Sequence, residues 1–302
     1  MAETDLTQLR KEIDAIDEEL HKLVIRRAAI SESIRGVKSG DDLKLRPGRE
    51  ANILRALLER HSGNFPKAQL VRIWREILSA SLSMQGPFSV GVYATETAHS
   101  FWDLARDHFG GGVQTWKFAT ARRVVETVAT GQCSIGIVPE PDLQNAENWW
   151  QYLVVQPNAA NRGKPVRVIS KLPFVRQSPQ HGGAEAYVIA CAEPEDSGAD
   201  RSLLAIDLLS DMSTDALQKA LADWGLSGII RAKWHDTSAP KRWVHLVDVA
   251  GFIARDDDRV AHAADIFAGS LNEVIVIGGF AEPVILEDAA RPARGRARAT
   301  RA

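Results

Sequence analysis

The chain has 302 residues, 45% of them hydrophobic and 25% charged, with a formal net charge of −2. That length leaves room for two or three cored domains, and a balance so near neutral gives no general pull toward nucleic acid or anionic membrane. Two cysteines, Cys133 and Cys191, and eight scattered histidines stand at no metal-type spacing, so no metal is expected. The opening MAETDLTQLRKE has no signal-type apolar run, and no segment approaches the ~20 apolar residues of a membrane span. A cytoplasmic protein with buried thiols is the expectation.

In chain order, residues 5 to 85 read as three helices: about 5 to 38, Arg49 to His61, and Lys67 to Gln85. SGDDLKLRPG and SGNFP break the helical period, and Gly86-Pro87 ends it. From Phe88 the period shortens. FSVGVY, VQTWKF, CSIGIV, VRVISKL and AYVIACA are strand-like, with helical TARRVVETVATG between two of them, giving a small α/β lobe over 87–193. After EPEDSGAD the order is strand LLAIDLL, helix STDALQKALADWG, strands LSGIIRAKW and RWVHLVDVAGF, helix DRVAHAADIFAGSL and strand EVIVIGGF. That βαββαβ succession specifies a ferredoxin-like unit over 200–285. In RPARGRARATRA arginines alternate with small residues and no apolar period, so 286–302 reads as a disordered tail. The expected fold class is multidomain, α followed by α/β.

One face of the first helix carries Leu9, Ile13, Ile16, Leu20, Leu23, Arg27, Ile30, Ile34 and Val37. A lone guanidinium in such a stripe costs several kcal/mol to bury unless an anion meets it, either a carboxylate from another helix or a ligand. Lys38 stands eleven residues on, ~16 Å along the axis and on nearly the same face, and each side chain can lean ~6 Å toward the other. The gap fits a small organic dianion. In the third helix Leu70, Ile73, Ile77, Ser81 and Met84 form the stripe, with Gln85 one turn beyond Ser81. Ser81 alone would bond the carbonyl one turn back; beside Gln85 it fits a ligand better than a core. Arg10 lies ~25 Å from Arg27 on a straight helix, so it reaches that site only from a second, antiparallel chain. Taken alone, it is a solvated surface arginine.

These residues carry a resemblance. LRKEIDAIDEELHKLVIRRAAISESIRGVK, RPGREANILRAL and IWREILSASLSMQ together resemble the all-helical (type II) chorismate mutases across residues 5 to 85. The resemblance implies an intertwined helical homodimer that converts chorismate to prephenate without a cofactor. Position by position, it implies that Arg27 and the second chain's Arg10 hold the two substrate carboxylates. Lys38 and Gln85 would face the ether oxygen, Glu50 would accept from the ring hydroxyl, Arg49 would support the site, and Ser81 would assist a carboxylate. Where the family often has an acidic residue three before its Arg-Glu pair, this chain has Arg46.

More faintly, 88–192 resembles the first lobe of prephenate dehydratase, through VETVATGQCSIGIVPEPD, and 200–284 its C-terminal ACT domain, through SLNEVIVIGGFAEP. The departures weigh against a working dehydratase. The glycine-rich turn is replaced by Ala94-Thr95-Glu96-Thr97-Ala98, Val-Pro-x-Glu-Asn by Val138-Pro139-Glu140-Pro141-Asp142, and Thr-Arg-Phe by Glu185-Ala186-Tyr187. Only one lobe's length of chain is present, so no cleft between lobes is expected. In the ACT-like part, Asp215-Ala216-Leu217 stands where the family has a ligand-contacting Gly-Ala-Leu, placing a negative charge beside any amino-acid effector's carboxylate. Scaffolding, sensing of an aromatic amino acid, and docking to another enzyme all stay open for these modules. Trp149-Trp150 fits either an aromatic docking patch or a core. Two rivals to a plain mutase also stand: a bifunctional mutase/dehydratase, and a non-catalytic binder of a dicarboxylate.

Overall fold

In the computed structural model, residues 2–37, 43–95, 98–141, 148–155, 164–177, 183–237, 242–267 and 269–286 are described. Lys38, Asp142 and the arginine-rich segment from 287 onward lie outside them.

The N-terminal part is three helices: α1 (Ala2–Val37), α2 (Pro47–Arg60) and α3 (Lys67–Met84). Pro47 opens α2, where its missing N–H would have had no helical partner anyway. Ala51, Leu54, Leu57 and Leu58 of α2 bury against Val71 of α3 and against Phe174 and Ala281 from the sheet half. Two of the helices are therefore fused to the sheet half. α1 differs. Ser31 is buried and Arg27 and Ala28 are half-covered by α3, while Leu9, Ile13, Ile16, Leu20, Leu23 and Ile30 stay exposed. Leu20, for example, is 54% exposed, so the stripe that sequence periodicity marks as buried is uncovered at its apolar positions from Leu9 to Ile30 among the described residues.

The remaining elements are β1 (Ser89–Tyr93), α4 (Ser100–Phe109), β2 (Gln114–Phe118), α5 (Ala121–Ala129), β3 (Ile135–Pro139), α6 (Gln151–Val155), β4 (Arg167–Leu172), β5 (Val175–Gln177) and β6 (Ala186–Ala190). After these come β7 (Asp200–Leu208), α7 (Thr214–Asp223), β8 (Gly228–Asp236), β9 (Arg242–Ala250), α8 (Asp258–Ile266), β10 (Leu271–Ala281) and β11 (Val284–Leu286). Strands β5 and β11 pair by themselves, and the other nine form one sheet in the order β2-β1-β3-β6-β4-β10-β7-β9-β8. β1 runs parallel to β2 and β3, whereas β10, β7, β9 and β8 are antiparallel neighbours.

The stretches on either side of EPEDSGAD thus share a sheet. They join where Gly278 of β10 pairs with Val168 of β4. Gly278 has φ +151°, and a Cβ there would strike the Val168 backbone, so only glycine lets the two strands meet. One core spans the junction, taking in Trp149, Trp150, Tyr187, Leu203, Leu246 and Phe280. The paired tryptophans are therefore core residues, and Trp149 Nε1 donates to the Pro139 carbonyl at 2.9 Å. Cys133 is buried and Cys191 half-buried. Among the described residues no helix is long and apolar enough to cross a membrane.

Candidate functional site

Arg27 sits on the part of α1 that meets α3. Its Nη1 donates to Ser81 Oγ at 2.5 Å and to the Ile77 carbonyl at 3.5 Å. Ser81 Oγ in turn donates to the Ile77 carbonyl at 2.7 Å, the ordinary bond one turn back, so it makes the local contact and receives the guanidinium as well. Both acceptors of Arg27 are neutral, and among the described residues no carboxylate lies within ion-pair distance of it. Burial lowers the Arg27 pKa first and the charge of Arg49 lowers it further, while Glu50 works the other way. Arg27, Arg49 and Glu50 therefore share one electrostatic neighbourhood. Of the guanidinium's five N–H donors, several remain for an anion.

Glu50, in the first turn of α2, has a partner that the sequence did not announce. Arg75 Nη1 donates to Glu50 Oε2 at 2.8 Å, with both side chains largely buried. Burial raises the Glu50 pKa, opposed by the charge and hydrogen bond of Arg75, and the Glu195 carboxylate adds to the upward push. Arg75 also reaches His108 Nε2 at 3.2 Å, and burial together with that cation holds the imidazole well below its usual range. Gln85 caps α3 and turns its amide onto the Ser81 carbonyl at 3.2 Å. It stands one turn from Ser81 and can swing to a ligand by side-chain rotation.

Arg49 is exposed beside this group, and Arg10 is exposed far along α1, without an ion pair among the described residues. The structure thus brings together Arg27, Ser81, Gln85, Glu50 and Arg49, and leaves Arg10 apart. Two residues escape the sequence reading. Arg75 interrupts an apolar stripe of Val71, Leu78 and Leu82 just as Arg27 interrupts the apolar stripe of α1, so the same sequence signal is present. Glu195, from the segment before β7, accepts from the backbone N–H groups of Gly48 at 3.1 Å and Arg49 at 3.4 Å and pairs with Arg46. No local pattern marks a contact so distant in sequence. Arg46, which departs from the family pattern, is occupied by that acid.

In the sheet half, the residues standing where the dehydratase pattern would be also converge, but on one another. Lys171 Nζ lies 2.7 Å from Glu140 Oε1 and 2.8 Å from Glu185 Oε2, Arg176 pairs with Glu185 at 2.5 Å, and Tyr187 donates to Glu140 at 3.2 Å. Burial and a hydrogen bond shared with Glu185 raise the Glu140 pKa against the pull of Lys171 and Arg231. Each charge there has an ion-pair partner, although Arg176 Nε is buried without a hydrogen-bond partner among the described residues.

Residues 9–86 match the family model of chorismate mutase type II. The bifunctional chorismate mutase/prephenate dehydratase of Aquifex aeolicus is 36% identical over 140 residues, covering 45% of this chain and 38% of that protein. The protein of the same description from Pseudomonas aeruginosa is 32% identical over 146 residues, covering 46% and 40%. The chain therefore aligns with about two fifths of the length of these curated relatives. Among solved structures, prephenate dehydratase from Streptococcus mutans aligns with a TM-score of 0.45 at 13% identity, covering 66% of this chain and 99% of that one. Prephenate dehydratase from Arthrobacter aurescens in complex with L-Phe gives 0.46 at 12%, covering 64% and 90%. The mutase-type segment is thus the one holding Arg27, Glu50 and Ser81.

Proposed function

We propose that the chain is a cytoplasmic, homodimeric chorismate mutase whose sheet half does no chemistry of its own. The observation that carries this reading is Arg27, a half-covered guanidinium held, among the described residues, by neutral oxygens, next to Ser81, Glu50 and Arg49 in the segment that matches the mutase family. Chorismate is a dianion. Its conversion to prephenate breaks one C–O bond and makes one C–C bond in a single step, so no nucleophile or proton shuttle is needed. The protein must hold the compact conformer and stabilise negative charge growing on the ether oxygen. Arg27 takes one carboxylate through its planar donors, with Ser81 beside it, and a second chain's Arg10 takes the other. Gln85 and Lys38 donate to the ether oxygen, where losing one such donor costs ~3 to 4 kcal/mol of barrier. Glu50, steadied by Arg75, accepts from the ring hydroxyl, and Arg49 supports the site.

The exposed apolar face of α1 supports pairing with a second chain, because 36 helical residues with an uncovered stripe are not a stable end state in water. The unit β7-α7-β8-β9-α8-β10 supports the ACT-like reading by its order, and an aromatic amino acid is its candidate effector. The test follows chorismate loss and phenylpyruvate formation by purified protein, with and without phenylalanine, tyrosine and tryptophan. Mutase turnover without phenylpyruvate is expected. Arg27→Ala and Lys38→Ala are each expected to lower kcat/KM by about a hundredfold or more with the fold retained. Affinity for chorismate without turnover would instead make the chain a dicarboxylate binder, and phenylpyruvate would make it bifunctional.

A further inference from the structure

Among the described residues β4 pairs with β10 at Gly278 alone, so on the side away from β7 the stretch of β10 before that point is not paired to β4. A cavity of about 360 Å³ opens there, with Val154 and Val155 of α6 and Ile275 of β10 among its walls. Three arginines line it: Arg167, Arg242 and Arg255. Arg242 is already matched, by Asp207 at 3.0 Å and Asp236 at 3.6 Å. Arg167 is not. It is 2% exposed, and its Nη1 is buried with no hydrogen-bond partner among the described residues. Arg255 is exposed at the rim and likewise has no ion pair among them. A second cavity of about 170 Å³ shares Arg167, Arg255 and Val276 as wall and adds Glu193. Burial lowers the Arg167 pKa, with Glu193 opposing and Arg255 reinforcing that shift.

A buried guanidinium with an orphaned donor is unfavourable unless something completes it. Here the donor belongs to a residue that lines a cavity with valine and isoleucine walls. We propose that this cavity is a binding site for a small monocarboxylate with an apolar body, its carboxylate held by Arg167 and Arg255 and its body against Val154, Val155 and Ile275. Glu273 also lines the cavity and is exposed, so a second negative charge on the ligand would be repelled. That separates this site from the dianion site at Arg27, on which it does not depend.

The test is calorimetric titration of the full chain with phenylacetate, acetate and inorganic phosphate. Phenylacetate is expected to bind saturably, one per chain, with acetate and phosphate each at least about tenfold weaker because neither brings an apolar body. Arg255→Ala, at an exposed position, should weaken phenylacetate severalfold, and Arg167→Met about tenfold or more. If Arg167→Met does not fold, Arg255→Ala decides. Arg27→Ala should bind as the unmodified chain does. No saturable phenylacetate binding, unchanged affinity in the Arg255 variant, phosphate binding tighter than phenylacetate, or loss of binding in Arg27→Ala would each overturn the assignment.

Discussion

Two charged clusters in this molecule are built from similar residue types and come out oppositely. Around Lys171, each cation meets carboxylates: Glu140 and Glu185 take the lysine, Glu185 takes Arg176 as well, and Asp248 takes Arg231 at 2.6 Å. Around Arg27, the guanidinium meets, among the described residues, a serine hydroxyl and a carbonyl and no carboxylate, and the nearby acid Glu50 is claimed by Arg75. A matched cluster serves the fold; an unmatched one keeps donors ready for an incoming anion. Likeness of residue type is therefore a poor guide to activity, and the state of the charges a better one.

The largest test of this contrast removes the proposed second chain. Ile16→Glu with Leu20→Glu puts two charges on the uncovered stripe of α1, and turnover is expected to fall at least about a hundredfold if, as proposed, a second chain's Arg10 completes the site. Light scattering should report a single chain. An active monomer would break the proposal that the site is completed from another copy. On the other side of the comparison, Lys171→Met removes the one cation that Glu140 and Glu185 share, leaving Arg231 to the first and Arg176 to the second. Breaking a buried pair in this way costs about 3 to 5 kcal/mol, read by denaturant unfolding, while the mutase rate per folded molecule stays within about twofold. A large rate loss at unchanged stability would mean that the matched cluster does chemistry after all.

A smaller effect is read by pH. His245 on β9 is buried, with Nε2 lacking a partner among the described residues, and burial together with Lys233 pushes its pKa down to about 4 against the pull of Asp211. Its unfolded value is near 6.5, so the folded state favours the neutral ring. Its contribution to stability is therefore complete above pH ~6.5 and is lost as pH falls toward about 4. Tm should drop across that window, and His245→Gln should lessen the drop, leaving the share of His108, which burial and Arg75 also hold low. An unchanged profile would remove His245 as the cause.

Much of this is legible in the sequence, and the gaps have physical causes. The three long helices and the strands β1, β2, β3, β4 and β6 announce themselves because periodicity is local. Helix α4 carries its signal too, in Phe101, Leu104, Ala105 and Phe109, but a short helix between two strands is easily passed over. The joining of the sheet at Gly278 and Val168 is a pairing between strands far apart in the chain, and nothing within either strand records it. Of the site, Arg27 and Ser81 are legible as polar residues in apolar stripes, and Arg75 carries the same mark. That Arg75 would claim Glu50 depends on how α2 lies on α3, which no spacing encodes.

The smallest effect concerns how the unmatched site is attached to the sheet half. Glu195 accepts from the N–H groups at the start of α2, next to Glu50, and completes a helix end that has no side-chain cap of its own. Gly48 makes room for it, since a Cβ there would come within 2.7 Å of the Glu195 Cβ. Glu195→Gln and Gly48→Ala therefore damage one contact by two routes, each by about 1 kcal/mol in unfolding experiments. Because they damage the same contact, the double variant should lose clearly less than the sum, a coupling that independent sites would not give. Strict additivity would mean that α2 is not held through Glu195, and the helix carrying Glu50 would then owe its position to Arg75, the Leu54 core and Arg55, which donates to the Ser197, Ala199 and Glu282 carbonyls.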